Sequence, residues 1–208
     1  MIIAGIDYSM RSPSICVFTG KESEAFTFDR CKFYFLTDTQ KYANFFLRNI
    51  SGSRFHDWNC DYQRYKSIAD WAMDRLEGCT HIGLEGYSFG SKGKVFHIAE
   101  NTGVLKYKIH LSGVPLEVVP PTTIKKFATG KGNADKTMMH KSFKDDTGID
   151  LKKEMEIPET LKDMGVQPGD EVKLAPLAQE DPSTGGNPLE MTEEKFQELI
   201  ANCISGKY

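Results

Sequence analysis

Two acidic residues, Asp7 and Glu85, each end a short apolar run of the kind that forms a buried strand. A turn-like or glycine-punctuated stretch follows each of them. An ionised carboxylate is costly to bury unless it is paired, hydrogen-bonded or bound to a metal. A carboxylate at the end of a buried strand therefore indicates a functional role. If the two strands are neighbours in one sheet, the two carboxylates can together hold Mg²⁺, which prefers oxygen ligands. The alternative is that Asp7 only caps its own turn.

A second chemical feature is a run of lysines in residues 121–144, which contain a single acid, Asp135. The run consists of Lys125, Lys126, Lys131, Lys136, Lys141 and Lys144. Such a segment can bind the phosphates of a nucleic acid, although a solvated helix face would have the same composition. Lys131 stands between two glycines whose amides can face an anion, but the spacing is not that of a Walker A motif. Beside such a surface, a pair of divalent ions about 3.5–4 Å apart could hydrolyse a phosphodiester bond.

The elements that must position these residues have an α/β pattern. Period-two and apolar runs predict strands over residues 2–6, 15–18, 25–28 with 31–36, 80–85 and 116–119, of which the first three are antiparallel. Helical spacing predicts helices over residues 64–77, 95–111, 134–147 and 192–203. Residues 37–63 are expected to be irregular. This stretch and the start of the next helix combine basic and aromatic side chains, for which surface packing and nucleic-acid contact are both open: Arg54, His56, Trp58 and Arg64.

Composition limits the classes of protein. The 208 residues, 39% of them hydrophobic, suit one α/β domain with an appendage. No signal peptide or membrane span is expected, so the cytoplasm is the expected location. Five widely spaced cysteines favour neither a disulfide framework nor a zinc site. Residues 1–144 carry a net charge of +6 and residues 145–208 one of −9, as in a nucleic-acid-binding body with an acidic tail.

Three segments together resemble the RuvC family of Holliday-junction resolvases, in particular its phage members: GIDYSMRSPSICVF, IGLEGYSFGSKGKVFHIAENTGVLKYKI and VPPTTIKKFATGKGNADK. The resemblance implies a ribonuclease H-like fold, here a mixed five-stranded sheet flanked by helices, in a nuclease domain of residues 1–150. It implies a homodimer that nicks branched DNA with Mg²⁺, for which Mn²⁺ can substitute, in a phage-infected bacterial cell. Asp7 and Glu85 are then metal ligands, Lys125 and Lys136 face the DNA, and Phe89 resembles the aromatic wedge that opens the junction.

The chain departs from this family near its end. Relatives complete the metal site with a D-x-x-D or D-x-x-H pair at the start of the last helix, and this sequence has no such pair before an apolar helix. Glu190, Glu193 and Glu194 occupy the corresponding place, although acidic residues also favour any helix start. Three further candidates for the missing ligand are Asp145, Asp146 and Asp150. Residues 151–208 are expected to form an acidic, loosely structured segment that ends in a helix.

Two functions follow from these features. The first is a structure-selective endonuclease that acts on Holliday junctions or other branched DNA. The second is a catalytically inactive RuvC-like module that binds DNA or a protein partner. Actin-like ATPases also begin with a Gly-Ile-Asp hairpin, but 208 residues leave no room for their two domains.

Overall fold

The computed structural model describes residues 1–87, 95–158, 160–181 and 190–207. The chain forms two compact units, Met1–Thr147 and Gly148–Tyr208. The described residues of the first unit form seven strands: β1 (Ile2–Asp7), β2 (Ser14–Thr19), β3 (Cys31–Thr37), β4 (Phe46–Leu47), β5 (Ile50–Arg54), β6 (His81–Glu85) and β7 (Leu116–Val119). Its helices are α1 (Asp61–Arg75), α2 (Val95–Ser112), α3 (Pro121–Thr129) and α4 (Lys136–Thr147). The second unit contains α5 (Leu151–Glu154), α6 (Glu171–Glu180) and α7 (Glu193–Ser205).

The strands form one mixed sheet in the order β4-β5-β3-β2-β1-β6-β7. Strands β1, β2 and β3 are antiparallel neighbours, as the sequence predicts, while β6 runs parallel to β1 and β7 parallel to β6. The predicted α/β architecture is therefore confirmed, with seven strands in place of five. The two additional strands are β4 and β5, and β5 pairs in parallel with β3.

Helices flank the sheet on both faces. On one face, alternate residues of β1 and β2 pack in a buried core with α1 and α2, whose Ile68, Leu105 and Ile109 are fully buried. On the other face, Phe143 of α4 packs edge-on against Phe28 and Phe33. Because side chains alternate across a strand, Asp7 and Glu85 project from this second face.

Several sequence-based boundaries are wrong. Residues 25–28 are not a strand: they lead into a one-turn 3₁₀ helix, Phe28–Arg30, and their two alternating aromatic rings pack on other rings, Phe26 on Phe18 and Phe28 on Phe33. Residues 37–63 are less irregular than expected, since they contain β4, β5, a 3₁₀ turn and the start of α1. Helix α3 was not predicted, although Pro121 at its first turn and Gly130 in a left-handed conformation after its end are ordinary helix boundaries.

The second unit is more helical than expected. Residues 171–180, expected to be loosely structured, form α6, which packs against α7 within this unit. The predicted last helix is present as α7, where the Thr192 side chain accepts a hydrogen bond from the Lys195 amide and Gly206 ends the helix in a left-handed conformation. None of the described helices is long and apolar enough to cross a lipid bilayer.

Two strand glycines differ in the room around them, which gives a test of the sheet edge. A Cβ atom on Gly52 of β5 would lie 2.4 Å from the Tyr42 carbonyl oxygen, whereas one on Gly5 of β1 would meet nothing within 4 Å. We expect Gly52→Ala to lower the free energy of unfolding by about 1–3 kcal/mol, the usual effect of overpacking. Gly5→Ala, the matched control, should leave it unchanged or raise it by about 0.5–1 kcal/mol. Urea denaturation measures both, and equal effects of the two substitutions would contradict this account.

Candidate active site

The two carboxylates lie side by side at one edge of the sheet. Strands β1 and β6 pair in parallel with Ile6 opposite Leu84, so the next residues in the same register are Asp7 and Glu85. Parallel strands end at the same edge, and both side chains project from the same face. The sequence-based expectation that these strands are neighbours is met by this register.

The surroundings favour the protonated forms of both carboxyl groups. Burial raises the pKa of Glu85, and the negative charge of Asp7 raises it further, while the charge of Lys125 lowers it. The Asp7 side chain is open to solvent, but the protein around it desolvates its carboxyl group enough to raise its pKa, and the charge of Lys136 opposes this rise. Two carboxylates that disfavour each other's ionisation form a site that a cation would stabilise.

The opposing lysines come from a helical hairpin, α3 and α4, that follows β7. Lys125 lies in the middle of α3, and Lys136 is the first residue of α4. The hairpin is fixed by hydrogen bonds between its helices and within its turn: the Ser142 hydroxyl donates to the Ala128 carbonyl, and the Lys131 amide donates to the Thr129 hydroxyl over 3.2 Å. The structure therefore brings the two predicted lysines within electrostatic reach of the two predicted carboxylates.

The other two predicted DNA-binding lysines lie on the same hairpin. Lys126 is on the exposed side of α3, and Lys131 is exposed in the turn between the helices. Gly132 allows this turn to approach α3 closely, because a Cβ atom there would lie 3.2 Å from the Thr122 carbonyl oxygen. Of the two glycines around Lys131, Gly132 thus has a packing role, whereas Gly130 ends α3 in a left-handed conformation.

A cavity of about 560 Å³ opens beside the carboxylates. Asp7 and Glu85 line one part of it, and its other walls include Asp61, Arg64 and His97 from α1 and α2. This volume is in the usual range for ligand sites in proteins. Asp61 and His97 are site residues that the sequence pattern does not predict.

A polar cluster joins α1 and α2 at this cavity. The hydroxyl of buried Tyr65 lies 2.8 Å from His97 Nδ1 and donates a 3.2 Å hydrogen bond to Glu100. An Asp61 carboxylate oxygen lies 3.8 Å from the same imidazole nitrogen. The one signal in the sequence was the helical spacing of three polar residues in the first two turns of α2, His97, Glu100 and Asn101.

Arg64 holds the turn that follows Asp7. Its Nη2 atom donates a 2.5 Å hydrogen bond to the Met10 carbonyl oxygen, and its guanidinium carbon lies 4.5 Å from the centre of the Trp58 ring. The turn is also closed by the Ser12 amide, which donates to the Ser9 hydroxyl over 3.0 Å. The sequence leaves surface packing and nucleic-acid contact open for Arg64 and Trp58. In the structure these two side chains pack against each other.

Three acidic candidates for a third ligand lie at or just before the start of α7. Glu193 and Glu194 begin α7 in the second unit, where Glu193 accepts a hydrogen bond from Gln197, and hydrogen bonds from Thr192 and from the backbone lower the pKa of Glu194. Glu190 is exposed just before this helix. Both Glu193 and Glu194 therefore contribute to an ordinary helix start.

The remaining candidates have ordinary structural positions. Asp145 and Asp146 are exposed at the end of α4, and Asp150 caps α5 by accepting a hydrogen bond from the Lys153 amide. Phe89, the candidate wedge, lies outside the described residues. Among the described residues, no group of three or more His, Cys, Asp and Glu side chains is arranged to hold a metal ion.

Comparison with known proteins identifies the fold. No family model and no curated protein matches the sequence. Two solved structures of RuvC from Thermus thermophilus do resemble the chain, one of them in complex with a Holliday junction substrate. The first has a TM-score of 0.51 at 15% identity and the second a TM-score of 0.50 at 14% identity, and each match covers 72% of this chain and 81% of the other. The chain therefore has the mixed α/β, ribonuclease H-like fold of the RuvC structures.

Proposed function

We propose that this protein is a metal-dependent endonuclease that cuts Holliday junctions or other branched DNA. The observation that carries the proposal is the pair Asp7 and Glu85, adjacent on one sheet face and within electrostatic reach of Lys136 and Lys125. The RuvC structure that contains a Holliday junction substrate supports branched DNA as the ligand. The resemblance in sequence further suggests that the enzyme acts in the cytoplasm of a phage-infected bacterium.

The donor set at the strand ends fits a hard divalent cation. Asp7 and Glu85 offer carboxylate oxygens, and each carboxylate disfavours a second negative charge beside it, which a bound cation would relieve. Mg²⁺ is the proposed cofactor and Mn²⁺ a possible substitute; such ions activate a water and stabilise the leaving oxygen in phosphodiester hydrolysis. The two side chains would hold the ion at a rigid sheet edge, and Arg64 would keep the adjoining turn in place through the Met10 carbonyl.

The lysines would bind the DNA backbone beside this ion. Lys125 and Lys136 are close enough to the carboxylates to influence their pKa, so a phosphate bound by these lysines would lie next to the site. Lys126 and Lys131 would extend the contact along the exposed side of the hairpin. Phosphate contacts of this kind position DNA without reading its sequence. The assignment of Phe89 as a wedge rests on the sequence resemblance alone.

Removal of either carboxylate separates catalysis from binding. Asp7→Asn and Glu85→Gln remove one charge with little change of shape, so each should reduce Mg²⁺-dependent cleavage of a four-way junction on the order of 100-fold or more. Binding of the junction in EDTA should stay at the wild-type level. Each variant should also have a higher Tm than wild type without metal at neutral pH. The reason is that a carboxylate whose pKa is raised in the folded state destabilises the fold as pH rises through that pKa. Wild-type cleavage by either variant would overturn the assignment.

Lys125→Ala and Lys136→Ala are the matched controls, in which DNA binding rather than the cleavage step should be weakened. Each should weaken binding across DNA sequences and lower the salt dependence of the binding constant by about one unit. Lys136→Ala should also move the acid limb of the pH–activity profile to higher pH, because the Lys136 charge lowers the pKa of Asp7. An unchanged salt dependence would mean that these lysines are only solvated.

One observation favours the second function, an inactive binding module. Two carboxylates leave too few fixed ligands for the octahedral geometry that Mg²⁺ requires, and no third His, Cys, Asp or Glu among the described residues joins them in a metal-binding group. For an active enzyme we therefore propose that Glu190, Glu193 or Glu194 supplies a further ligand. Asp145, Asp146 and Asp150 are the next candidates.

A triple substitution tests this proposal in two metals. Glutamate is one methylene longer than aspartate, so a site completed by glutamate should be less precise and more active in Mn²⁺ than in Mg²⁺. Combined Glu190→Gln, Glu193→Gln and Glu194→Gln substitutions should reduce junction cleavage in both metals, because a neutral carboxamide is a poor replacement for a carboxylate ligand of a hard divalent cation. Glu198→Gln, at an exposed position of the same helix, is the control and should have no effect. Undiminished cleavage by the triple variant would direct the search to the three aspartates, and a wild type that cuts in neither metal would support the binding module.

We further propose that the protein acts as a homodimer through the exposed side of α2. Phe96, Tyr107 and Leu111 are exposed large apolar residues of this helix, and Phe96 is 84% exposed. Gly103 lies on the same side, where an added Cβ atom would meet nothing within 4 Å. A glycine in a helix lowers stability by about 1 kcal/mol relative to alanine, and here the subunit itself does not require it for packing. A second helix crossing closely at Gly103 would explain this residue and cover its apolar neighbours.

Sedimentation velocity tests the dimer without DNA. Wild type should sediment as a dimer, and Gly103→Leu and Tyr107→Glu should shift it to monomer while the far-ultraviolet circular dichroism stays unchanged. Phe46→Glu, at a 74% exposed aromatic residue of β4, is the control and should leave the dimer intact. A wild type that is monomeric at all accessible concentrations, or a control that dissociates equally, would rule out this interface.

A further inference from the structure

Phe127 is the most exposed large apolar side chain among the described residues, with 94% of its surface open to solvent. It lies in the last turn of α3, on the hairpin that carries the lysines. Single exposed apolar residues are common on protein surfaces, so exposure alone assigns no role to this ring. Its surroundings distinguish it from the others.

The position of Phe127 around α3 separates it from the packed side of the helix. Ile124 and Ala128 are half-buried, whereas Thr123, Lys126 and Phe127 are exposed. At 3.6 residues per turn, Phe127 is about 200° around the helix from Lys125, which faces the carboxylate site. The ring is therefore directed away from Asp7 and Glu85, on the outer side of the hairpin, and adds no packing to the fold.

The backbone that carries this ring is nevertheless firmly held. The Gly130 amide donates to the Lys126 carbonyl over 2.8 Å, and the Lys131 amide donates to the Thr129 hydroxyl over 3.2 Å. The Ser142 hydroxyl of α4 donates to the Ala128 carbonyl, immediately after Phe127. A rigid helix turn thus holds an aromatic ring in solvent. Little backbone conformational entropy is therefore lost when a ligand contacts the ring.

The charge around the ring indicates the class of ligand. Lys126 and Lys131 are exposed on either side of Phe127 in the chain, and residues 121–144 contain six lysines and one acid. The ligand should therefore be anionic and should also offer a flat apolar face. An unstacked nucleobase with its phosphates has both properties, whereas the bases inside a duplex have no free face.

We propose that Phe127 is a stacking platform for an unpaired nucleobase, with Lys126 and Lys131 binding the adjoining phosphates. The proposal extends the proposed function, on which it rests for the nature of the ligand. Because the ring and Lys125 lie on opposite sides of α3, the stacked base belongs to a strand or nucleotide other than the one at the carboxylates. Unpaired bases at a branch point would supply such a site, and fully paired DNA would not.

Binding to a fluorescent oligothymidylate and to a duplex of equal length, both in EDTA, tests the platform without requiring cleavage. Phe127→Ala should weaken binding to the single strand by about 5- to 150-fold, the usual effect of losing one base–aromatic stack, and leave binding to the duplex unchanged. Phe127→Trp should restore the affinity, and Phe127→Leu should not, because leucine is apolar but has no aromatic face. The salt dependence should stay unchanged in Phe127→Ala and fall by about 0.7 unit in Lys126→Ala.

The outcomes separate this proposal from the proposed function. Junction cleavage by wild type, together with undiminished single-strand binding by Phe127→Ala, would overturn the platform and leave the nuclease standing. Wild-type affinity in Phe127→Leu, or an equal loss on the duplex in Phe127→Ala, would also overturn stacking. A changed sedimentation coefficient in Phe127→Ala with unchanged DNA binding would assign the ring to a protein interface instead. A wild type that binds no DNA would overturn both proposals.

Discussion

The repulsion between Asp7 and Glu85 is the constraint around which the first unit is arranged. The parallel pairing of β1 with β6 places them next to each other, and both burial and the negative charge of Asp7 raise the pKa of Glu85. A fold selected only for stability would separate the two charges or neutralise one of them. This fold instead keeps the two carboxyl groups adjacent and places Lys125 and Lys136 on a separate helical hairpin, where the charge of Lys125 lowers the pKa of Glu85 and that of Lys136 lowers the pKa of Asp7. Two neighbouring carboxyl groups with raised pKa values are more typical of a functional site than of a packed core.

The parts of the fold that the sequence predicts are those whose signals are local. The apolar runs before Asp7 and Glu85 predict the central strands. The helical spacing of apolar residues around Ile68 and around Ile109 predicts α1 and α2, which cover these strands. Strand β5, with the sequence ISGSR, has no such signal, because it forms through backbone pairing with β3 and its side chains follow no alternating apolar pattern. Gly52 belongs there because the Tyr42 carbonyl leaves no room for a Cβ atom, a contact that no local pattern encodes.

The same distinction applies to the site. Residue type and strand position were enough to single out the carboxylates, and charge clustering was enough to single out the lysines. The Tyr65–His97 contact and the Arg64–Met10 hydrogen bond join residues 32 and 54 positions apart, so only the assembled fold reveals them. Glu193 and Glu194 illustrate the opposite case, since a helix start and a ligand pair have the same sequence signature, and their hydrogen bonds with Gln197 and Thr192 satisfy the first of these two roles.

The α3–α4 hairpin has two chemically different sides, and under the proposed function this division would limit how the protein binds DNA. Its inner side presents Lys125 to the carboxylates, where under the proposed function a phosphate would be cleaved, while its outer side presents Lys126 and Phe127 to solvent. A single straight duplex bound at the inner side would not offer a free base to the outer side, because its bases are stacked. A branched substrate presents strands in more than one direction and can offer unpaired bases where they diverge, so it can contact both sides of one helix at once. Selectivity for branched DNA would then arise from simultaneous contact with both sides of α3, in addition to any wedge that opens the junction.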